Sequence, residues 1–329
     1  LRREILIIKS RIECDLAAVE RGLKRVKIPP VKNLHIWFKP YVVKKLAVIR
    51  EHVLSVEEEE DISTFLKVVF SNTIMKVSNV DWRSSRFIRL LPREKLKKHN
   101  PDVERTFEVN LNDAFKRVSE LHNVVTKKLA SGVPYNIPKV IQGDARELPL
   151  EDESVDLIVT SPPYGEERNT VAYVRWTKLS LYWLGLSSRE LKDIERKSLG
   201  GSGGRYNSLE TNSPTFNRVA ARILENSKNN DNIKKRLKEA AAFINDYEVA
   251  LAEMYRVLKP KRYACIVIGN RSICRVPLDM NRVTIELGTA QGFKHVTTYY
   301  RRIPQKLIPW VTPTGETISI ENIVILMKP

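Results

Sequence analysis

Apolar positions recur at helical intervals through the first part of the chain, up to about residue 135. Ile62, Phe65, Leu66, Val69, Phe70, Ile74 and Val77 fall on one face of a helix, and Ser55-Val-Glu-Glu58 ahead of them has the spacing of a capping box. A second helix is predicted over Asn112–Ala130. Phe115, Val118, Leu121, Val125 and Leu129 share its apolar face, and Gly132 is its stop.

From Ile137 the rhythm changes to short apolar runs alternating with helical ones. Lys139-Val-Ile-Gln142 is predicted as a strand ending at Gly143-Asp144. Val155–Thr160 is largely apolar, as a central parallel strand buried on both faces would be. A helix over Ile233–Leu258 stops at Lys259-Pro260, and Tyr263–Ile268 is the next strand. A helix over Pro277–Gln291 is closed by Gly292, and Lys294–Tyr300 and Ile320–Met327 form a terminal strand pair. Such alternation implies an α/β protein with a doubly wound sheet. The organisation that follows is a helical, basic domain over residues 1–135 and an α/β domain over 136–329. The second domain carries an insertion, Arg196–Asn232, rich in Gly, Ser, Asn and Arg. The one low-complexity patch is Gly200-Gly-Ser-Gly-Gly204.

Composition narrows the partners. With 329 residues and 42% apolar content the chain can bury a sizeable core. It has no run of about eighteen apolar residues and no basic–apolar–small leader pattern, so a soluble, cytoplasmic protein is expected. Three cysteines without a CxxC pair fit reduced thiols, and no ligand cluster for a structural metal is visible. The formal charge of +17 is distributed along the chain, which points to a polyanion, because each phosphate neutralised releases counterions. A heat-adapted surface would account for 29% charged residues and for glutamine only at 142, 291 and 305, but not for the imbalance of sign. Seven of the cations crowd into Arg83–Lys98, interleaved with Trp82 and Phe87. Arg83, Arg86, Arg89 and Arg93 there, with Arg205 in the insertion, are candidate nucleic-acid contacts. The other reading of Arg83–Lys98 is a solvated linker whose aromatics pack on the core.

The chemistry sits directly after the apolar strand, in Thr160-Ser161-Pro162-Pro163-Tyr164. Ligands of doubly wound sheets bind at the carboxyl ends of strands, and two prolines fix the backbone shape there. This stretch resembles the DNA and RNA amino-methyltransferases, whose hallmark is Ser/Asp/Asn-Pro-Pro-Tyr after the fourth strand of a Rossmann-like methyltransferase sheet. The resemblance implies methyl transfer from S-adenosyl-L-methionine to the exocyclic amine of a base. Ser161 and the Pro162 carbonyl would accept the amine's N–H bonds, with Pro163 shaping the loop and Tyr164 stacking on the extruded base. Serine at the first position leans towards cytosine N4. No cysteine follows a proline, which excludes the C5-cytosine enzymes. Gly143-Asp144-Ala145 resembles the loop whose acidic residue binds the cofactor's adenine amine. Asp144, Ala145 and Thr160 are therefore the implied cofactor contacts, although Asp144 reads equally as an N-cap for a helix over Arg146–Leu148. Tyr173–Gly185 resembles the helix that follows the motif, and equally reads as an amphipathic core helix. Phe243–Pro260 resembles the helix that leads into the fifth strand. The likeness spans about Val140–Lys328.

The family's glycine-rich loop, which cradles the methionine part of the cofactor, has no counterpart here. Gly200–Gly204 follows a charged helical segment, Ser188–Lys197, and reads as a loop. Two further strands carrying that loop are therefore expected beside Val140–Gln142, from a segment before Leu1 or from a partner chain. Three functions follow from these residues. One is a DNA N4-cytosine modification methyltransferase with Arg196–Asn232 in the target-reading surface. The others are an RNA methyltransferase acting on ribosomal or transfer RNA, and a nucleic-acid-binding subunit of a split enzyme.

Overall fold

The computed structural model describes residues 2–56, 60–81, 90–132, 137–164, 173–201, 208–227, 230–303, 311–312, 315–316 and 318–329. Their contacts divide the chain into two compact units, Leu1–Val140 with Val174–Leu191, and Ile141–Tyr173 with Lys192–Pro329. The helix Tyr173–Trp183, on the far side of the 135/136 boundary drawn from sequence, thus belongs almost wholly to the first unit.

The first unit is helical. It holds α1 (Arg2–Glu20), α2 (Leu34–Trp37), α3 (Pro40–Leu54), α4 (Glu60–Val77), α5 (Arg93–Lys98), α6 (Val103–Ala130) and α7 (Tyr173–Trp183). Leu46, Ile49, Leu66, Phe70 and Ile74 recur at helical spacing in α3 and α4 and are fully buried. Trp183 closes this core, edge-on to Phe38 at 5.8 Å and to Phe70 at 6.4 Å between ring centroids. A buried polar seam joins α4 to α6: Asn110 donates to the Thr73 hydroxyl at 2.9 Å and accepts from Lys76 at 2.6 Å. Asp102 caps α6 by accepting from the Arg105 amide at 3.1 Å. The distal apolar stripe of α6 stays exposed at Val118, Leu121 and Leu129.

Ser55, expected to open a capping box, is the C-cap of α3, and its hydroxyl donates to the His52 carbonyl at 3.0 Å. Glu58, its proposed partner, lies outside the described residues.

The second unit is built on a sheet. Its strands are β1 (Val155–Thr160), β2 (Leu258–Gly269), β3 (Arg271–Ile273), β4 (Val276–Leu278), β5 (Lys294–Arg302), β6 (Val311–Thr312), β7 (Gly315–Glu316) and β8 (Ile320–Met327). The helices are α8 (Ser188–Lys197), α9 (Pro214–Glu225), α10 (Asp231–Val257) and α11 (Met280–Ala290). Four strands form one sheet in the order β1-β2-β8-β5, with β1 and β2 parallel and β8 antiparallel to both of its neighbours. One face carries Ala264, Ile266, Ile268, Val324 and Leu326, all fully buried. They pack in one core with Leu237, Phe243, Tyr247 and Leu251 of α10 and Val283 and Leu287 of α11. Register places Leu157 beside Tyr263 and Val159 beside Cys265 on the opposite face, where Val159 is 70% exposed.

Two expectations change here. Lys139–Gln142 is not a strand: Val140 and Ile141 are exposed and no ladder bonds them, since the edge of β1 away from β2 pairs with no described strand. Asp144 caps no helix but a tight turn, accepting from the Arg146 amide at 2.9 Å while the Glu147 amide reaches the Asp144 carbonyl at 3.0 Å. Within the Arg196–Asn232 insertion, α9 buries Phe216, Ala220 and Ile223 in the core of this unit.

Glu286 of α11 ties that insertion down. Its carboxylate accepts from the Ser213 hydroxyl at 2.6 Å, and from the Thr215 amide at 3.0 Å and hydroxyl at 2.6 Å. Burial pushes its pKa up, but these hydrogen bonds outweigh it and hold the group below its ordinary 4.5. A carboxyl depressed in the folded state adds stability above its unfolded pKa and loses it as pH falls through the folded one. Glu286→Gln should therefore cost about 1.5–3 kcal/mol at neutral pH, with the gap to wild type closing in acid. Urea unfolding at pH 7 and pH 3.5 checks this; an equal gap at both values would refute the carboxylate's role.

Candidate active site

The apolar strand β1 delivers its C-terminal end to Ser161-Pro162-Pro163-Tyr164. Pro162 is buried, Pro163 and Tyr164 are half-buried, and Ser161 faces out. Thr160, the last residue of β1, pairs with Ile266 of β2, which fixes where the loop begins. Tyr164 lies back over the end of β2. A Cβ on Gly269 would sit 3.0 Å from the Tyr164 ring and 2.9 Å from Ile318, so only glycine lets the ring lie this close to the strand.

The Tyr164 hydroxyl donates to Glu321 Oε1 at 3.2 Å, and the Ser161 hydroxyl lies 3.4 Å from the Tyr164 oxygen. Glu321 stands opposite Gly269 on one side and Arg301 on the other, and Arg301 bonds its second oxygen through Nε at 2.9 Å and through Nη2. Burial is the largest cause that pushes the Tyr164 phenol above its usual pKa; the contact with Ser161 opposes it, and Glu321 adds to it.

Asp144 sits in the turn before β1, its side chain half exposed. The Arg146 guanidinium grips both of its oxygens, at 2.9 and 3.2 Å from Nε and at 2.7 Å from Nη2. Arg146 itself is only 6% exposed; Nη1 meets Asp246 of α10 at 2.9 Å and Nη2 meets the Lys197 carbonyl at 2.6 Å. Asp246 also accepts from the Gly200 amide at 2.9 Å. Hydrogen bonding to Asp144 is the main reason the guanidinium's pKa is raised further. Ala145 is half-buried beside them.

Of the candidate nucleic-acid contacts, Arg93 is described and is exposed at the first turn of α5. Arg83, Arg86, Arg89 and Arg205 lie outside the described residues, as do Trp82 and Phe87. Val80 and Leu90, on either side of that segment, pair with each other. Tyr173–Gly185 contributes Leu179 and Trp183 to the helical core. Glu321, Arg301, Gly269, Arg146 and Asp246 were not singled out from sequence; the one signal for Glu321 was its place at the start of a strand expected to pair with another. Among the described residues no group of three or more His, Cys, Asp or Glu side chains is placed to hold a metal ion. No described helix is long and apolar enough to cross a membrane.

The loop stands at the end of a strand in a mixed α/β sheet, and comparison with known proteins carries the identification. The chain is 30% identical over 327 residues to the type II methyltransferase M.MvaI of Kocuria varians, a match covering 94% of this chain and 69% of that protein. The chain belongs to this family of DNA methyltransferases. No family model matches it. Among solved structures it is similar to TTHA0409 of Thermus thermophilus, a candidate DNA modification methylase, at 18% identity and a TM-score of 0.27, over 57% of this chain and 51% of that one. The same protein complexed with S-adenosyl-L-methionine gives a TM-score of 0.28 over 57% and 54% of the two chains.

Proposed function

We propose that the chain methylates the exocyclic amino group of a base in DNA, cytosine N4, as a modification methyltransferase. The observation that carries this is the outward-facing Ser161 hydroxyl at the end of β1, backed by Tyr164. An exocyclic amine is a weak nucleophile because its lone pair is delocalised into the ring. Ser161 Oγ and the Pro162 carbonyl accept its two N–H bonds and favour the pyramidal form, whose lone pair is free to attack a methyl carbon. Tyr164 stacks on the extruded base and offsets part of the unstacking cost. S-adenosyl-L-methionine supplies the methyl group on a positively charged sulfur. Asp144 suits the adenine end of that cofactor, since its carboxylate is already oriented by Arg146 and remains half exposed. Ala145 and Thr160 complete that side.

The methionine end has no glycine-rich cradle among the described residues. We assign it to a further pair of strands on the edge of β1 that pairs with no described strand, from a preceding segment or a partner chain. That edge, with exposed Leu157 and Val159, has the apolar character such strands would cover.

The decisive experiment deletes the gene and digests cellular DNA and ribosomal RNA to nucleosides. Loss of N4-methylcytosine from DNA supports the proposal; loss of a methylated base from RNA alone overturns it. Phosphate contact through Arg86, Arg89 and Arg93 is expected alongside. Replacing all three with alanine should lower the slope of log affinity against log salt by about 2–3 in magnitude. An unchanged slope would return the segment to a structural role.

A further inference from the structure

We propose that Glu321, held by Arg301, is a positioning residue that sets the direction of the hydrogen-bond chain ending at Ser161. The inference rests on the reading of Ser161 as the acceptor for the target amine.

The chain has three members and two links. A carboxylate has no hydrogen to give, so in the link to Glu321 Oε1 at 3.2 Å the Tyr164 phenol must donate. Arg301 occupies the other carboxylate oxygen through Nε at 2.9 Å. With its one hydrogen committed, the Tyr164 oxygen faces Ser161 as an acceptor, and the Ser161 hydroxyl donates inward across 3.4 Å. That length is long for an O–H···O bond, so the serine is loosely held. Both Ser161 lone pairs then face outward, where an amine's N–H can reach them. If the phenol instead donated to Ser161, the serine hydrogen would point at the substrate and compete with the amine for the same space.

The fold places the three groups for this purpose. Glu321 lies between Gly269 and Arg301 in one row across β2, β8 and β5. Gly269 leaves room for the tyrosine ring, and its neighbour in the row receives the hydroxyl. Glu321 is 14% exposed, so water competes little for its oxygens.

The test compares the full chain with Tyr164→Phe, Glu321→Gln and the double variant. Glutamine keeps the size of the side chain, but its amide can donate as well as accept, so it no longer dictates direction. Labelled-methyl transfer to unmethylated bacterial DNA should fall about 5–10-fold in kcat for each single variant, with KM for DNA and for S-adenosyl-L-methionine within about twofold. The double variant should be no worse than the poorer single one, because both break the same chain. Multiplied losses, or wild-type kcat in Glu321→Gln, would overturn the proposal.

A second measurement needs no turnover. In protein labelled with 3-fluorotyrosine, the Tyr164 fluorine resonance is identified by its loss in Tyr164→Phe. It should shift in Glu321→Gln, and an unmoved resonance would overturn the proposal by itself. A shifted resonance in a chain that methylates no nucleic acid would leave the hydrogen-bond link standing and sink the reading of the site.

Discussion

Replacing Ser161 with alanine is expected to lower methyl transfer about 100-fold without disturbing the fold. The side chain is exposed and among the described residues bonds Tyr164 alone, through a 3.4 Å contact, so little stability depends on it. What it would supply is an acceptor aimed at charge that develops on the amine during attack. Removing one such preorganised group costs about 10²–10³ in rate in comparable sites. Tyr164→Ala should lose a similar factor by another route, since base–aromatic stacking is worth about 1–3 kcal/mol. This variant also opens a gap over Gly269 and Ile318, so its thermal unfolding must be measured beside its activity. Tyr164→Phe separates the two contributions, because it keeps the ring and removes only the hydroxyl. The check is single-turnover transfer of labelled methyl to DNA, with circular dichroism as the control for folding. Near-wild-type turnover in both alanine variants would sink the assignment of this loop.

Elements whose burial repeats at a fixed period were legible in the sequence. Val155–Thr160 and Ser188–Lys197 form over the residues predicted, and Ile320–Met327 pairs with β5 as expected. Periodicity reports which face of an element is buried, not what buries it. That is why Trp183 could be placed on an apolar helix face but not beside Phe38 and Phe70, more than a hundred residues away in sequence. Lys139–Gln142 failed for a related reason: an apolar run becomes a strand only when a neighbour supplies ladder bonds, and none is described there.

The site divides along the same line. Ser161–Tyr164 and Asp144 were found because local sequence carries their motif. Arg146 was passed over as one cation among 56 lysines and arginines, and Asp246 as one polar position on a long amphipathic helix. Their pairing spans a hundred residues of chain and leaves no spacing to read. Glu321 is 157 residues from Tyr164, and its role emerges only from strand register.

Arg146→Ala should be the most destabilising single change in the second unit. The guanidinium and Asp246 are 6% and 5% exposed, and their 2.9 Å contact joins the turn before β1 to α10. Removing the cation takes a counter-charge from a buried carboxylate, which costs about 3–5 kcal/mol when such a pair is broken from one side. For a unit of this size that lowers Tm by roughly 10 °C. Lysine should recover less than half, because a single ammonium cannot span Asp144, Asp246 and the Lys197 carbonyl as the planar fork does. The informative variant is the double one. Arg146→Met with Asp246→Leu removes both charges, so it should unfold later than Arg146→Ala although it lacks more native bonds. The cofactor should respond differently from stability. Asp144 loses the guanidinium that fixes its carboxylate in both Arg146→Ala and the double variant, so S-adenosyl-L-methionine binding should weaken equally in the two. Thermal melts and calorimetric titration on the same samples separate these effects. A double variant less stable than Arg146→Ala would show that the two charges are not coupled, and undiminished cofactor binding would remove Asp144 from the site.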